Sequence, residues 1–153
     1  RDTFTIEEYK LFYTRLRKWV SESADEHEKH MRQMMRDFIF IKSNTFMRFG
    51  EIVNLKWHMC KTYTYKGQRL IELELPATIC KNRKSRRILT NGGQYLDRLK
   101  TYSKWLDKDD YVFSNPNENN PMMNNLMNNM NNLNSKQKKK LKKKLKRTST
   151  KTE

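Results

Sequence analysis

The chain is poor in several things, and each shortage narrows what it can be. It has no apolar run near the ~20 residues that a membrane-spanning helix needs. Its most apolar stretch, Phe38 to Ile41, is far shorter. No secretory-signal pattern is read at its start. It opens on Arg1 rather than Met, which reads as a fragment or a trimmed domain. Two cysteines, Cys60 and Cys80, are too few for a disulfide framework or a cysteine-rich metal site. They are expected to be reduced thiols in a core or strand, as in a cytosolic protein. His27 and His30 stand three apart on a predicted helix, with Glu28 between, but no further ligand is near in sequence. They read as surface residues rather than a metal site, and His58 is given no role. No cofactor and no small-molecule ligand are expected. Acid is also scarce: 17 Asp and Glu face 33 Lys and Arg, a net charge of +16. A field of that sign attracts polyanions, nucleic acid first and anionic membrane surfaces next.

What is present divides into two parts. The 153 residues suffice for one domain with a core. Residues 1–116 mix apolar and charged side chains as a folded domain does. Residues 117–153 are Asn- and Met-rich, then Lys-rich, and are expected to be disordered or loosely helical. Residues 1–117 carry 23 basic and 15 acidic side chains, and residues 118–153 carry 10 and 2, so each part has a net charge of +8. Half the excess charge therefore sits in the tail. Met123, Leu126, Met130 and Leu133 step at weak amphipathic spacing. Lys136 to Arg147, with Leu141 and Leu145 four apart, is either a solvated low-complexity run or a basic helix for a phosphate backbone or anionic surface.

In the first part, Thr5 is a helix cap with Glu7 and Glu8 behind it. Tyr9, Phe12, Leu16 and Val20 then repeat at helical spacing. A second helix begins near Ser23 to Asp25 and grows more apolar through Met31, Met34, Met35, Phe38, Ile39 and Ile41, so its end is expected to be buried. A short third helix covers about Phe49 to Leu55, with Ile52, Val53 and Leu55 inward. Trp57 opens a strand through Met59 and Thr62 to Tyr65. Lys66-Gly67-Gln68 is a turn, Leu70, Ile71, Leu73 and Leu75 return, and Pro76 closes. Ile79 to Leu89 reads as a further hairpin arm, with a basic turn at Lys81 to Arg87. Gly92-Gly93 breaks the chain before a helix from Gln94 to Leu106. Tyr111, Val112 and Phe113 form a short apolar anchor. The fold class is α+β, mainly helical, with a small three-stranded antiparallel sheet.

The most informative stretch is Asn44 to Trp57, N-T-F-M-R-F-G-E-I-V-N-L-K-W. An arginine at a helix-to-helix corner, braced by a carboxylate three residues on, is held rigid. Its planar fork can then give two hydrogen bonds to one phosphate, as a lysine cannot. The segment resembles the first conserved box of the tyrosine recombinases, the phage-integrase family, on Thr45, Met47, Arg48, Gly50, Glu51, Ile52, Leu55, Lys56 and Trp57. Phe46 stands where that pattern has glycine. Phe4 to Tyr9, F-T-I-E-E-Y, resembles the opening of the family's catalytic domain. Ile79 to Leu89, I-C-K-N-R-K-S-R-R-I-L, resembles its β-hairpin turn, and Asp110 to Asn115 its later apolar anchor. The resemblance covers about residues 3–117. It implies an integrase-like catalytic-domain fragment that acts on double-stranded DNA in the cytosol, in a family that assembles as oligomers on DNA and needs no membrane.

The chemistry so implied is strand cleavage and rejoining through a phosphotyrosine. Arg48 would hold the scissile phosphate and Lys81, or else Lys84, would protonate the leaving oxygen. Glu51 would support the corner. Arg83, Lys84, Arg86 and Arg87 would bind flanking phosphates. The family's later H-x-x-R box and nucleophilic tyrosine are not in this chain: after Asn115 there is no His, Trp or Tyr, and the sole Arg is Arg147. Tyr63, Tyr65, Tyr95, Tyr102 and Tyr111 read as strand or core aromatics. The chain alone is therefore expected not to cleave DNA. One functional class is a recombinase fragment, another a non-catalytic DNA-binding remnant. A third, an RNA-binding protein, is disfavoured because the aromatics fall on buried periodicities.

Overall fold

The computed structural model describes residues 4–121. Helix α1 spans Ile6–Ser21. Thr5 caps it: its hydroxyl accepts from the Glu8 amide at 3.2 Å, and the Glu8 carboxylate accepts from the Thr5 amide at 2.8 Å. These bonds satisfy amides that the first turn leaves without a helical partner. Helix α2 spans Glu26–Thr45 behind Asp25, whose carboxylate accepts from the Glu28 amide at 2.7 Å. Helix α3 is the short Phe49–Val53. Strands β1 (Cys60–Tyr65), β2 (Gln68–Leu75) and β3 (Arg86–Asn91) make an antiparallel sheet in the order β1-β2-β3. Helix α4 spans Gly93–Tyr102, and a small hairpin joins β4 (Ser114–Asn115) to β5 (Glu118–Pro121). The class is α+β, as expected.

The helices cover one face of the sheet, with α4 on β1 and β2 and α2 on β3. Strand alternation decides what they meet. Ile71, Leu73 and Leu75 point inward and are at most 1 % exposed. The C-terminal half of α2 supplies Phe38, Phe40 and Ile41, all buried, and α3 and its exit supply Ile52, Val53 and Leu55. The anchor closes the core: Val112 and Phe113 are buried, and the Phe113 ring meets Phe38 edge-on at 5.1 Å. The Val112 amide donates to the Leu55 carbonyl at 2.9 Å, so the anchor is clipped to the exit of α3.

Several expectations are corrected. On α1, Tyr9 is exposed. The contact runs instead through Tyr13, Leu16 and Val20, with Tyr13 on Phe40 at 4.5 Å between ring centroids. Trp57 does not open a strand. It lies in a 3-10 turn, Trp57–Met59, because its indole N–H is drawn to the Trp105 carbonyl at 2.9 Å and its amide to Asp110. Residues 79–84 form turns, and pairing begins only at Arg86. Helix α4 ends at Tyr102, four residues before Leu106, which is exposed. The composition break at Pro116 falls inside the β4–β5 hairpin, whose pairing runs on to Pro121. The Asn/Met-rich and Lys-rich blocks expected to be loosely structured lie beyond Pro121, outside the described residues.

Charge is also built into the interior. Asp37 is fully buried and accepts from Arg36, Arg98 and the Tyr102 hydroxyl, the last at 2.7 Å. Burial and the neighbouring Asp37 charge push that hydroxyl well above its ordinary range. On the sheet, Asp97 of α4 accepts from Arg69 and Thr62, tying α4 to β1 and β2. The Arg69 hydrogen bond holds the Asp97 carboxyl below the usual aspartate range. Cys60 lies in β1 and Cys80 is buried, and both are free thiols. Burial pushes Cys60 up to about 12. No described helix is long and apolar enough to cross a membrane.

Candidate nucleic-acid interface

The corner between α2 and α3 carries the basic site. Phe46 ends α2 in the left-handed region, φ 52° and ψ 27°, the conformation glycine adopts most readily at a helix end. The chain then extends through Met47, which is buried and so fixes the path, into Arg48 at the start of α3. The Arg48 side chain is 59 % exposed and reaches outward from this anchored backbone.

Glu51 holds the corner from below. Its side chain is 2 % exposed. Oε2 accepts from the Arg48 amide at 2.8 Å and from Arg86 Nη2 at 2.6 Å. Oε1 has no hydrogen-bond partner among the described residues and faces Arg48 Nη1 at 3.6 Å. That separation is an ion pair rather than a hydrogen bond. The carboxylate is buried, but its Arg86 partner is 40 % exposed, so solvent screens the pair in part. Arg86 nonetheless stabilises the Glu51 that braces Arg48.

The opposite wall comes from the turns after β2. Arg48, Gly50 and Glu51 line one cleft of about 340 Å³ with Thr78, Ile79, Cys80 and Lys81. Arg48 and Lys81, distant in sequence, therefore share a concavity. Lys84 is not among its lining residues. Lys81, Arg83 and Lys84 are exposed, and none of them enters an ion pair among the described residues. The turn is tight: the Arg83 amide donates to Cys80, Arg83 takes φ 52°, and the Lys84 amide donates to the Asn82 side chain.

Arg86 and Arg87 part company. In β3 they are neighbours, so their side chains leave on opposite faces. Arg86 pairs with Leu75 in register and takes the inward face, toward Glu51. Arg87 turns outward and ion-pairs with Glu72 at 2.7 Å, which raises it above the ordinary arginine range through that hydrogen bond. Both line a second cleft of about 500 Å³ with His58 and Glu74. The run Arg83, Lys84, Arg86 and Arg87 reads in sequence as one group of phosphate contacts. The two-residue period of a strand is the signal that separates Arg86 from Arg87, and it is lost when the segment is read as one basic turn.

The exposed aromatics also differ from expectation. Phe4, Tyr9, Phe46 and Tyr65 are all exposed, and Phe4 stacks on Phe12 at 6.0 Å. Buried periodicity therefore gives no ground for excluding RNA.

No family model matches the chain, and no curated protein or solved structure matches it.

Proposed function

We propose that this chain grips the sugar-phosphate backbone of duplex DNA, as part of a catalytic domain of the tyrosine-recombinase type. One observation carries the reading: Arg48, on an anchored corner, and Lys81, from the turns after β2, line the same cleft. A rigid guanidinium beside a mobile ammonium suits one phosphodiester, the first as a fork and the second as a point charge. In this reading Arg48 binds the phosphate, and Lys81, rather than Lys84, is placed to protonate a departing oxygen. Arg83 and Lys84 at the turn's tip meet neighbouring phosphates. The integrase-like identity of the fold belongs to the same proposal, as do assembly into oligomers on DNA and a place in the cytosol with the DNA.

The chain holds no tyrosine after Tyr111. Its own part in the reaction is therefore binding and positioning rather than cleavage. A non-catalytic DNA-binding protein would use the same cleft in the same way.

The test is a salt titration of duplex-DNA binding by the full chain and by Arg48→Ala. A charge-assisted arginine contact contributes about 1.5–3 kcal/mol, so affinity should fall on the order of tenfold or more. The slope of log affinity against log salt should lose about 0.9. An unchanged affinity overturns the reading. Preference for single-stranded RNA over the duplex would move it to RNA, where the exposed aromatics offer stacking faces.

A further inference from the structure

We infer that Arg86 is a positioning residue that sets Arg48 for phosphate through the buried Glu51, and not itself a phosphate contact. The inference rests on the reading of Arg48 as the backbone grip. Its geometry is independent of that reading. Arg86 Nη2 and the Arg48 amide donate to the same oxygen of Glu51, at 2.6 and 2.8 Å. The other oxygen faces the Arg48 guanidinium at 3.6 Å. One carboxylate, 2 % exposed, thus touches the backbone of Arg48, its side chain and Arg86.

Each contact has a defined consequence. The bond to the Arg48 amide fixes where the side chain leaves the corner. The attraction through Oε1 limits how far the guanidinium swings. The charged hydrogen bond from Arg86 orients that carboxylate inside the protein. Arg86 reaches it because strand alternation sends it inward, whereas Arg87 next to it goes outward to Glu72. Without Arg86, Glu51 is drawn to Arg48 alone. The guanidinium meant for phosphate then satisfies a protein carboxylate instead.

The discriminating experiment is a double-mutant cycle in the full chain, with duplex DNA and a salt titration, using Arg48→Gln, Arg86→Gln and the two together. Thermal unfolding is followed in parallel. Arg86→Gln should weaken binding on the order of tenfold and take about 0.9 from the salt slope, as Arg48→Gln does. In the Arg48→Gln background it should change neither by more than about twofold. A direct phosphate contact predicts additive losses and about 1.8 off the slope in the double variant, and that overturns the inference. A purely structural role predicts the same loss in both backgrounds, and that overturns it too.

Glu51→Gln is the second variant, should Arg86→Gln not fold. It removes a negative charge near the site, so simple attraction predicts tighter binding. The positioning role predicts weaker binding, and tighter binding overturns it. If Arg48→Gln itself leaves binding unchanged, the DNA reading fails first, and the two failures remain distinct.

Discussion

At the scale of single residues, Phe46 shows a strained choice at a strategic place. It is 86 % exposed and holds φ 52°, so its ring contributes little packing and its Cβ meets the steric penalty of left-handed backbone. Phe46→Gly should therefore stabilise the chain by about 1 kcal/mol while leaving α2 and α3 in place. Urea unfolding checks this through a raised midpoint at constant slope. A lowered midpoint would mean that the ring makes a contact the exposure does not reveal. Residue identity made Arg48 and Glu51 legible, because a cation and an acid three apart at a helix start can meet without any distant element. The orphan Oε1 of Glu51 and its second arginine were not legible, because Arg86 arrives from another part of the chain.

At the scale of elements, the packing of α4 on β2 is set by a close backbone approach. Gly92 turns the chain at φ 119°, and Gly93 starts the helix against the sheet. A Cβ at Gly93 would lie 2.5 Å from the Leu70 carbonyl oxygen, a backbone atom that cannot swing aside. Gly93→Ala should thus destabilise by about 3 kcal/mol, at the upper end of overpacking costs. Gly50→Ala is the control: nothing lies within 4 Å, and alanine favours the helix by up to about 1 kcal/mol. Equal effects in chemical unfolding would refute the close-approach account. The elements themselves were largely readable. The cap at Thr5, the start of α2 just after Ser23 to Asp25, the turn at Lys66-Gly67 and the apolar anchor at Val112 and Phe113 are local signals, and each falls where expected. Trp57 departs from the strand pattern because its indole bonds across the fold to Trp105.

At the scale of the whole molecule, charge is unevenly shared. Residues 118–153 contain 10 basic and 2 acidic side chains, whereas many arginines among the described residues are committed to ion pairs. Long-range attraction to a polyanion should therefore depend heavily on the tail. Placement of one phosphate should depend on the corner. Deleting residues 122–153 should flatten the salt dependence of DNA binding by several units of slope, against about 0.9 for Arg48→Ala. The matched titrations check it. An unchanged slope on deletion would assign the binding to residues 1–121 alone.

The sequence by itself determined the helix caps, the alternation of the strands, the apolar half of α2 and the pairing of Arg48 with Glu51. These depend on neighbours within a turn or two, where spacing alone fixes geometry. Only the tertiary structure decided that Lys81 faces Arg48 across one cleft and that Arg86 closes on Glu51 while Arg87 does not. Those outcomes depend on how the sheet shares a core with α3 and its exit. That placement follows the burial of Ile71, Leu73 and Leu75 of β2 with Ile52 and Leu55 in a common core, not any charge in the site.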